Sequence, residues 1–161
     1  MQPEASVVEV ILESNLANVE RAEEAARSVA AKMGFDEERE FHVEMAVHEA
    51  VINAIHHGNK EDASKKVYIR FLVFADRLEI HVRDEGQGFD PATLPDPLAS
   101  ENILSDSGRG IFLVRKFMDE FRVEKSPAGG TDVIMVKHLT TRIRSNQGGT
   151  GREHEGNGAS G

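Results

Sequence analysis

The residues with the clearest potential for chemistry lie between His48 and Gly58. Glu49 and Asn53 are four residues apart, so on a helix the carboxylate and the carboxamide lie one turn apart on one face. Polar groups at the edge of a buried helix are costly without partners, and a ligand with a metal ion would supply them. The other flank of this helix would carry an apolar stripe, formed by Val43, Val47, Val51 and Ile55.

This pair could supply one general base and one metal ligand. A carboxylate within hydrogen-bond reach of a hydroxyl can accept its proton. Magnesium prefers hard oxygen ligands and often binds through one or two protein groups, with phosphate oxygens and water completing its shell. Glu49 and Asn53 match that division of roles. A solvated helix face would show the same spacing, so the pair alone leaves that alternative open.

A second candidate motif is the segment from Asp84 to Gly88, which reads D-E-G-Q-G. Its aspartate stands where a strand becomes a loop, and glycines permit close backbone approach there. A buried carboxylate at this position could accept a hydrogen bond from an exocyclic amine such as that of adenine. An ordinary glycine turn capped by Asp90 would look the same.

A third candidate motif, Ser107-Gly108-Arg109-Gly110, precedes an amphipathic helix. The backbone N–H groups of such a loop and the helix N-terminus favour an anion, and Arg109 and Lys116 are cations close enough in the chain to contact phosphate. The Gly-Lys-Ser/Thr ending of a Walker loop is missing. A plain loop followed by a helix is the alternative.

Histidines raise the alternative of a zinc site. His48-Glu49 matches the start of an H-E-x-x-H motif, but residue 52, where the second histidine should stand, is isoleucine. The neighbouring His56 and His57 fit the end of a helix instead, where the helix dipole favours positively charged side chains. The histidines that could suggest zinc are His42, His48, His56, His57 and His81.

The elements that must position these residues follow from periodicity and capping. The order is a strand, two helices, a hairpin, a long loop, a helix and a second hairpin. It predicts an α+β fold (an α/β sandwich) with a mixed, mostly antiparallel sheet of about five strands and about three helices on one face. The predicted bounds are a strand over 6–12, helices over 14–33 and 36–58, a hairpin over 67–84, a loop to 107, a helix from 111, and strands over 120–125 and 131–138.

Composition narrows the class of protein. The 161 residues suggest one domain, over 1–141, followed by a glycine-rich tail over 142–161 that we expect to be disordered. The net charge of −9 argues against nucleic acid as the main ligand. We find no apolar run near the roughly 20 residues of a membrane span and no signal-like start. The absence of cysteine fits a reducing compartment, and we expect a cytoplasmic protein.

Together, over residues 5–140, the three motifs resemble the ATP-binding fold shared by gyrase, mismatch-repair ATPases, histidine kinases and one chaperone family (the GHKL, or Bergerat, fold). Within that superfamily the chain resembles the anti-sigma factor serine-protein kinases. Glu49 stands four residues before Asn53, as in members that activate water or a hydroxyl. A phosphoacceptor hairpin, which a histidine kinase needs, is missing, and so is the transducer domain of a gyrase-like ATPase.

The resemblance implies a role for each site residue. Glu49 would be the general base and Asn53 the Mg²⁺ ligand, while His57-Gly58 ends the same motif. Asp84 would accept a hydrogen bond from the adenine amine, and Thr131 would support this aspartate. The long loop that ends at residue 107 would form a lid, and Gly86 and Gly88 would shape the pocket and hinge this lid. The residues that would lie under the phosphates are Gly108, Arg109 and Gly110.

The resemblance also implies an activity and partners. The chain would use ATP and Mg²⁺ to phosphorylate a serine or threonine of a STAS-type anti-anti-sigma protein. A sigma factor or another regulatory protein would be the alternative partner, and a homodimer is expected. The second hypothesis is a nucleotide-gated binding module that sequesters a partner without efficient phosphoryl transfer.

Overall fold

A five-stranded sheet forms the centre of the molecule. The computed structural model describes residues 5–86, 113–127 and 129–140. The strands are β1 (Ser6–Glu13), β2 (Lys66–Val73), β3 (Arg77–Arg83), β4 (Glu120–Lys125) and β5 (Thr131–His138). Their order across the sheet is β1-β2-β3-β5-β4, and every pairing is antiparallel. The expected sheet of about five mostly antiparallel strands is confirmed.

Alternation along the strands divides the sheet into two faces. In the central hairpin, β2 and β3 turn one set of apolar side chains toward the helices, and these are fully buried. The register with β1 places Val8, Val10 and Leu12 on this same face. The set consists of Val67, Ile69, Phe71, Leu78, Ile80 and Val82.

Two long helices cover the buried face of the sheet. They are α1 (Val19–Met33) and α2 (Glu37–Asn53). Gly34 ends α1 in the left-handed conformation at φ 92°, as expected. The Asp36 carboxylate caps α2 by accepting from the backbone N–H of Arg39 at 2.8 Å. Small residues on the facing sides, Ala22 and Ala26 on α1 and Ala46 and Ala50 on α2, let the helices approach closely.

Local differences from the predicted bounds are small. Asn15 caps a short 3₁₀ turn, Leu16–Asn18, that precedes α1, whereas the Ser14 hydroxyl donates to a carbonyl of the loop before β2. Residues 113–117 are helical, as expected for the helix after the long loop. The lid, Gly88, the phosphate motif and the C-terminal tail lie outside the described residues.

Among the described helices, none has both the length and the apolar character required to cross a membrane.

Candidate functional site

The end of α2 is reshaped where it reaches the sheet. The helix continues into one π-helical turn, Ala54–Gly58. Such turns are rare in proteins, and those that occur are often found at functional sites. Gly58 lies so close to Asp84 that a Cβ on it would stand 2.3 Å from Oδ2 of that carboxylate. The turn therefore joins the helix bearing Glu49 and Asn53 to the loop after β3.

Asp84 is a buried carboxylate held by backbone donors. Its side chain follows β3 directly, and the residue is only 4% exposed. Oδ1 accepts from the backbone N–H of Gly86 at 3.0 Å and from that of Thr131 at 3.2 Å. Burial raises the pKa of Asp84, and the two backbone hydrogen bonds oppose that rise. Within the described residues both donors act on Oδ1, which leaves Oδ2 for a ligand.

Glycines form a close-fitting cradle around this carboxylate. A Cβ on Gly86 would lie 1.9 Å from the carbonyl oxygen of Gly58, and one on Gly130 would lie 2.1 Å from the carbonyl oxygen of Asp84. Gly130 also has φ 84°, which disfavours any other residue. No side chain can enter the space where these backbones meet without moving one of them. Three backbone segments are thus packed closely around one carboxylate, and this glycine cradle is called the Asp84 recess below.

The Thr131 hydroxyl is the second polar group of this recess. Its Oγ1 is buried and has no hydrogen-bond partner among the described residues. An unpartnered buried hydroxyl costs stability, so a ligand is the natural source of its partner. The Watson–Crick edge of adenine has an amine donor beside a ring-nitrogen acceptor. Asp84 and Thr131 offer a matching acceptor and hydroxyl, so the residues present fit an adenine nucleotide.

Glu49 and Asn53 lie on α2 one turn apart, as predicted. The Glu49 side chain is 21% exposed, so it is accessible while being partly shielded. Its Oε2 lies 3.7 Å from Nε2 of His48. Asn53 is the last residue of α2 and is also half-buried. Both polar groups are therefore carried on a rigid helix that ends at the Asp84 recess.

The remaining predicted site residues are more dispersed. His57 is exposed, and its ring contacts that of His56 edge to face, with 4.6 Å between centroids. Burial and then the neighbouring charges of His56 and Lys60 lower the pKa of His57. Gly88 lies outside the described residues, and so do all three residues predicted to lie under the phosphates, namely Gly108, Arg109 and Gly110.

A buried polar network beside the recess has no counterpart in the sequence predictions. Asn59 is fully buried, and its amide donates to the Ser14 hydroxyl at 2.7 Å and to the Lys66 carbonyl at 3.0 Å. Its carbonyl oxygen accepts from the backbone N–H of Glu85 at 2.8 Å. The Glu85 carboxylate in turn accepts from Tyr68 at 2.8 Å. The network ties the loop after β3 to β1, β2 and the end of α2.

The zinc alternative finds no support in the described part of the chain. No group of three or more His, Asp or Glu side chains there is arranged so that it could hold a metal ion. The histidines instead pair separately: His42 with Lys137, His56 with Glu61, and His81 with Glu79 and Asp132. His48 contacts Glu23 and Glu49.

Comparison with known proteins agrees with this geometry. Residues 12–137 match the family model described as histidine kinase-like ATPase domain. The serine-protein kinase RsbW of Bacillus subtilis is 40% identical over 120 residues, which are 69% of this chain and 72% of that relative. The anti-sigma F factor of Oceanobacillus iheyensis is 39% identical over 100 residues, 61% of this chain and 68% of that relative.

A solved structure supports the fold alone. The crystal structure of the RsbU and RsbW domains of a Mycobacterium tuberculosis protein aligns with a TM-score of 0.61 at 18% identity. The alignment covers 83% of this chain and 32% of that longer chain. The sheet order, the Asp84 recess and these matches lead to one conclusion. The chain belongs to the histidine kinase-like ATPase domain family, among the anti-sigma serine-protein kinases.

Proposed function

We propose that this protein is an ATP-dependent serine/threonine kinase that acts as an anti-sigma factor and phosphorylates a STAS-type antagonist. The observation that carries the proposal is the recess in which Asp84 is buried among three glycines, beside a Thr131 hydroxyl that has no partner in the part of the chain that the structure describes. The names of the relatives, serine-protein kinase and anti-sigma factor, support the activity and the biological role.

Adenine recognition would rest on the two polar groups of the recess. Asp84 accepts a hydrogen bond from the exocyclic amine, and Thr131 meets the adjacent ring nitrogen directly or through a water molecule. Guanine has a carbonyl oxygen at the position of that amine, which would face the carboxylate without a proton between them. The recess therefore selects adenine over guanine.

Phosphoryl transfer would depend on the polar face of α2. Glu49 accepts the proton of a serine or threonine hydroxyl of the protein substrate. Asn53 offers its carboxamide oxygen to Mg²⁺, and a bound Mg²⁺ would neutralise charge on the phosphates. The proposed roles of Gly88 in the lid and of Gly108, Arg109 and Gly110 at the phosphates rest on the family resemblance.

Partner exchange would follow from the charge of the product. Phosphorylation adds about two negative charges to the antagonist, and this chain has a net charge of −9. Repulsion would release the phosphorylated antagonist and free the kinase to bind its sigma factor or another regulatory protein.

We also propose a homodimer that buries edge strand β1, because Val7 and Ile11 on its outer face are 49% and 48% exposed.

The experiment that tests the kinase activity uses a STAS-type anti-anti-sigma protein from the same organism, with Mg²⁺ and γ-labelled ATP. We expect labelled antagonist with the wild type and a rate at least about 100-fold lower with Glu49→Ala. Equal labelling by both proteins would contradict the role of Glu49. ATP-dependent complex formation without any labelling would favour the alternative, a nucleotide-gated binding module.

A further inference from the structure

His48 lies between two carboxylates that belong to different helices. Its Nδ1 contacts the Glu23 carboxylate of α1, and its Nε2 faces Oε2 of Glu49 at 3.7 Å. All three side chains are partly buried, with 30% of His48 and 21% of each glutamate exposed. The proposed adenine site gives no role to a histidine that connects α1 to Glu49.

The packing of α1 against α2 sets this arrangement. Arg27 and Glu44 form an ion pair at 2.6 Å between the same two helices. Residues 23 and 27 are one turn apart on α1, and residues 48 and 44 are one turn apart on α2. The two contacts are thus successive rungs of an antiparallel helix pair. Only the rung at His48 reaches Glu49.

We propose that His48, oriented by Glu23, is a positioning residue that holds the Glu49 carboxylate in its productive rotamer. The inference rests on the proposed role of Glu49 as general base. A base is effective only within hydrogen-bond reach of the hydroxyl, and a partly exposed glutamate has several rotamers. A ring fixed on one nitrogen and facing Oε2 with the other leaves Oε1 for the substrate, as a third group orients the base in other catalytic sites.

Two substitutions at position 48 separate the two ring nitrogens. In His48→Asn the amide nitrogen lies near the place of Nδ1, so the contact with Glu23 is kept and the one with Glu49 is lost. In His48→Gln the amide nitrogen lies near the place of Nε2, so a polar group facing Glu49 is kept and the contact with Glu23 is lost. We expect kcat to fall about tenfold in His48→Asn and less than about threefold in His48→Gln, with KM for ATP unchanged in both.

A double substitution tests whether His48 acts through Glu49. In a Glu49→Gln background, His48→Asn should change the residual rate less than about twofold, because the group that it positions is gone. Glu44→Gln is the matched control, since it breaks the neighbouring rung without touching the base. A comparable fall in kcat in Glu44→Gln, or a full tenfold loss in the Glu49→Gln background, would overturn the proposal in favour of a purely structural role.

A spectroscopic measurement keeps this inference distinct from the proposed function. The ¹³C shift of the Glu49 carboxyl carbon, assigned by its loss in Glu49→Gln, should move in His48→Asn and stay in place in Glu44→Gln. An unmoved signal in His48→Asn overturns the contact whatever the activity. A moved signal with full activity in Glu49→Gln overturns the base role and, with it, the positioning role.

Discussion

Two side chains of the recess work against the stability of the fold. Burial raises the pKa of Asp84, which means that the folded protein disfavours its ionised form. The Thr131 hydroxyl is buried without a partner among the described residues. Polar groups that lower the stability of the fold are expected at binding sites, where a ligand supplies their missing hydrogen-bond partners. At the scale of single residues, these two mark the site.

Replacing Thr131 by valine should separate stability from binding. Thr131→Val keeps the shape and removes a buried hydroxyl that no described residue pairs with, so we expect the free energy of unfolding to rise by about 1 kcal/mol. Affinity for ATP should fall about fivefold to tenfold, because the adenine ring loses a partner. Urea unfolding and calorimetry measure the two effects. A loss of stability with unchanged affinity would mean that the hydroxyl serves the fold and not the ligand.

Single residues were predicted best where a local motif defines them. The family resemblance names Asp84, Gly86 and Thr131, and the structure brings them together around one carboxylate, while their roles toward a nucleotide stay predictions. Asn59 was missed because its partners are 45, 7 and 26 residues away in the chain. A polar residue after Gly58 looks like any loop residue until tertiary contacts are known. The pairing of His48 with Glu23 was missed for the same reason.

At the scale of elements, the turn between β4 and β5 decides the shape of the recess. Gly129 and Gly130 are neighbours that both have positive φ angles, 98° and 84°, which glycine adopts without strain and other residues do not. A Cβ on Gly129 meets nothing within 4 Å, whereas one on Gly130 meets the Asp84 backbone. The two glycines therefore form a matched pair in which only one touches the site.

Alanine at each of these glycines gives the second prediction. Gly129→Ala should lower the free energy of unfolding by about 1 kcal/mol through the left-handed conformation, without altering ATP affinity. Gly130→Ala should cost more than that and weaken ATP binding at least about tenfold. Calorimetry on both variants, with circular dichroism to confirm folding, measures this. Equal ATP affinities in the two variants would show that the turn does not shape the recess.

The elements themselves followed closely from sequence because each has a local signal. Asp36 and Gly34 mark helix ends through capping and the left-handed conformation, and alternation marks the strands. The π-helical turn at the end of α2 was not predicted, since it depends on the docking of Gly58 against Asp84. A contact between residues 26 positions apart leaves no periodic trace in the sequence.

At the scale of the whole molecule, the sheet face away from the helices carries the clearest pH dependence. His81 lies on this face, with Nε2 at 3.2 Å from Glu79 and Nδ1 at 3.5 Å from Asp132. Asp132 first, and then Glu79, raise the pKa of His81 against the effect of burial. The folded state thus binds the proton more tightly than the unfolded state.

The sign of this linkage gives the third prediction. The stabilisation from His81 is fully present below its unfolded pKa of about 6.5 and is lost as pH rises through the higher folded pKa. Wild type should exceed His81→Gln in free energy of unfolding by up to about 1 kcal/mol at pH 6, and by much less at pH 9. Urea titrations at both pH values measure the difference. A difference that grows toward pH 9 would contradict the assigned ion pairs.

The most direct test of the whole account is calorimetry of nucleotide binding with Mg²⁺. We expect wild type to bind ATP and to bind GTP at least about 30-fold more weakly. Asp84→Asn should keep both backbone hydrogen bonds on its carbonyl oxygen, and hence its fold, while losing at least about tenfold in ATP affinity. ATP binding that is equal in wild type and in a folded Asp84→Asn variant, or equal affinity for ATP and GTP, would contradict adenine recognition at this recess.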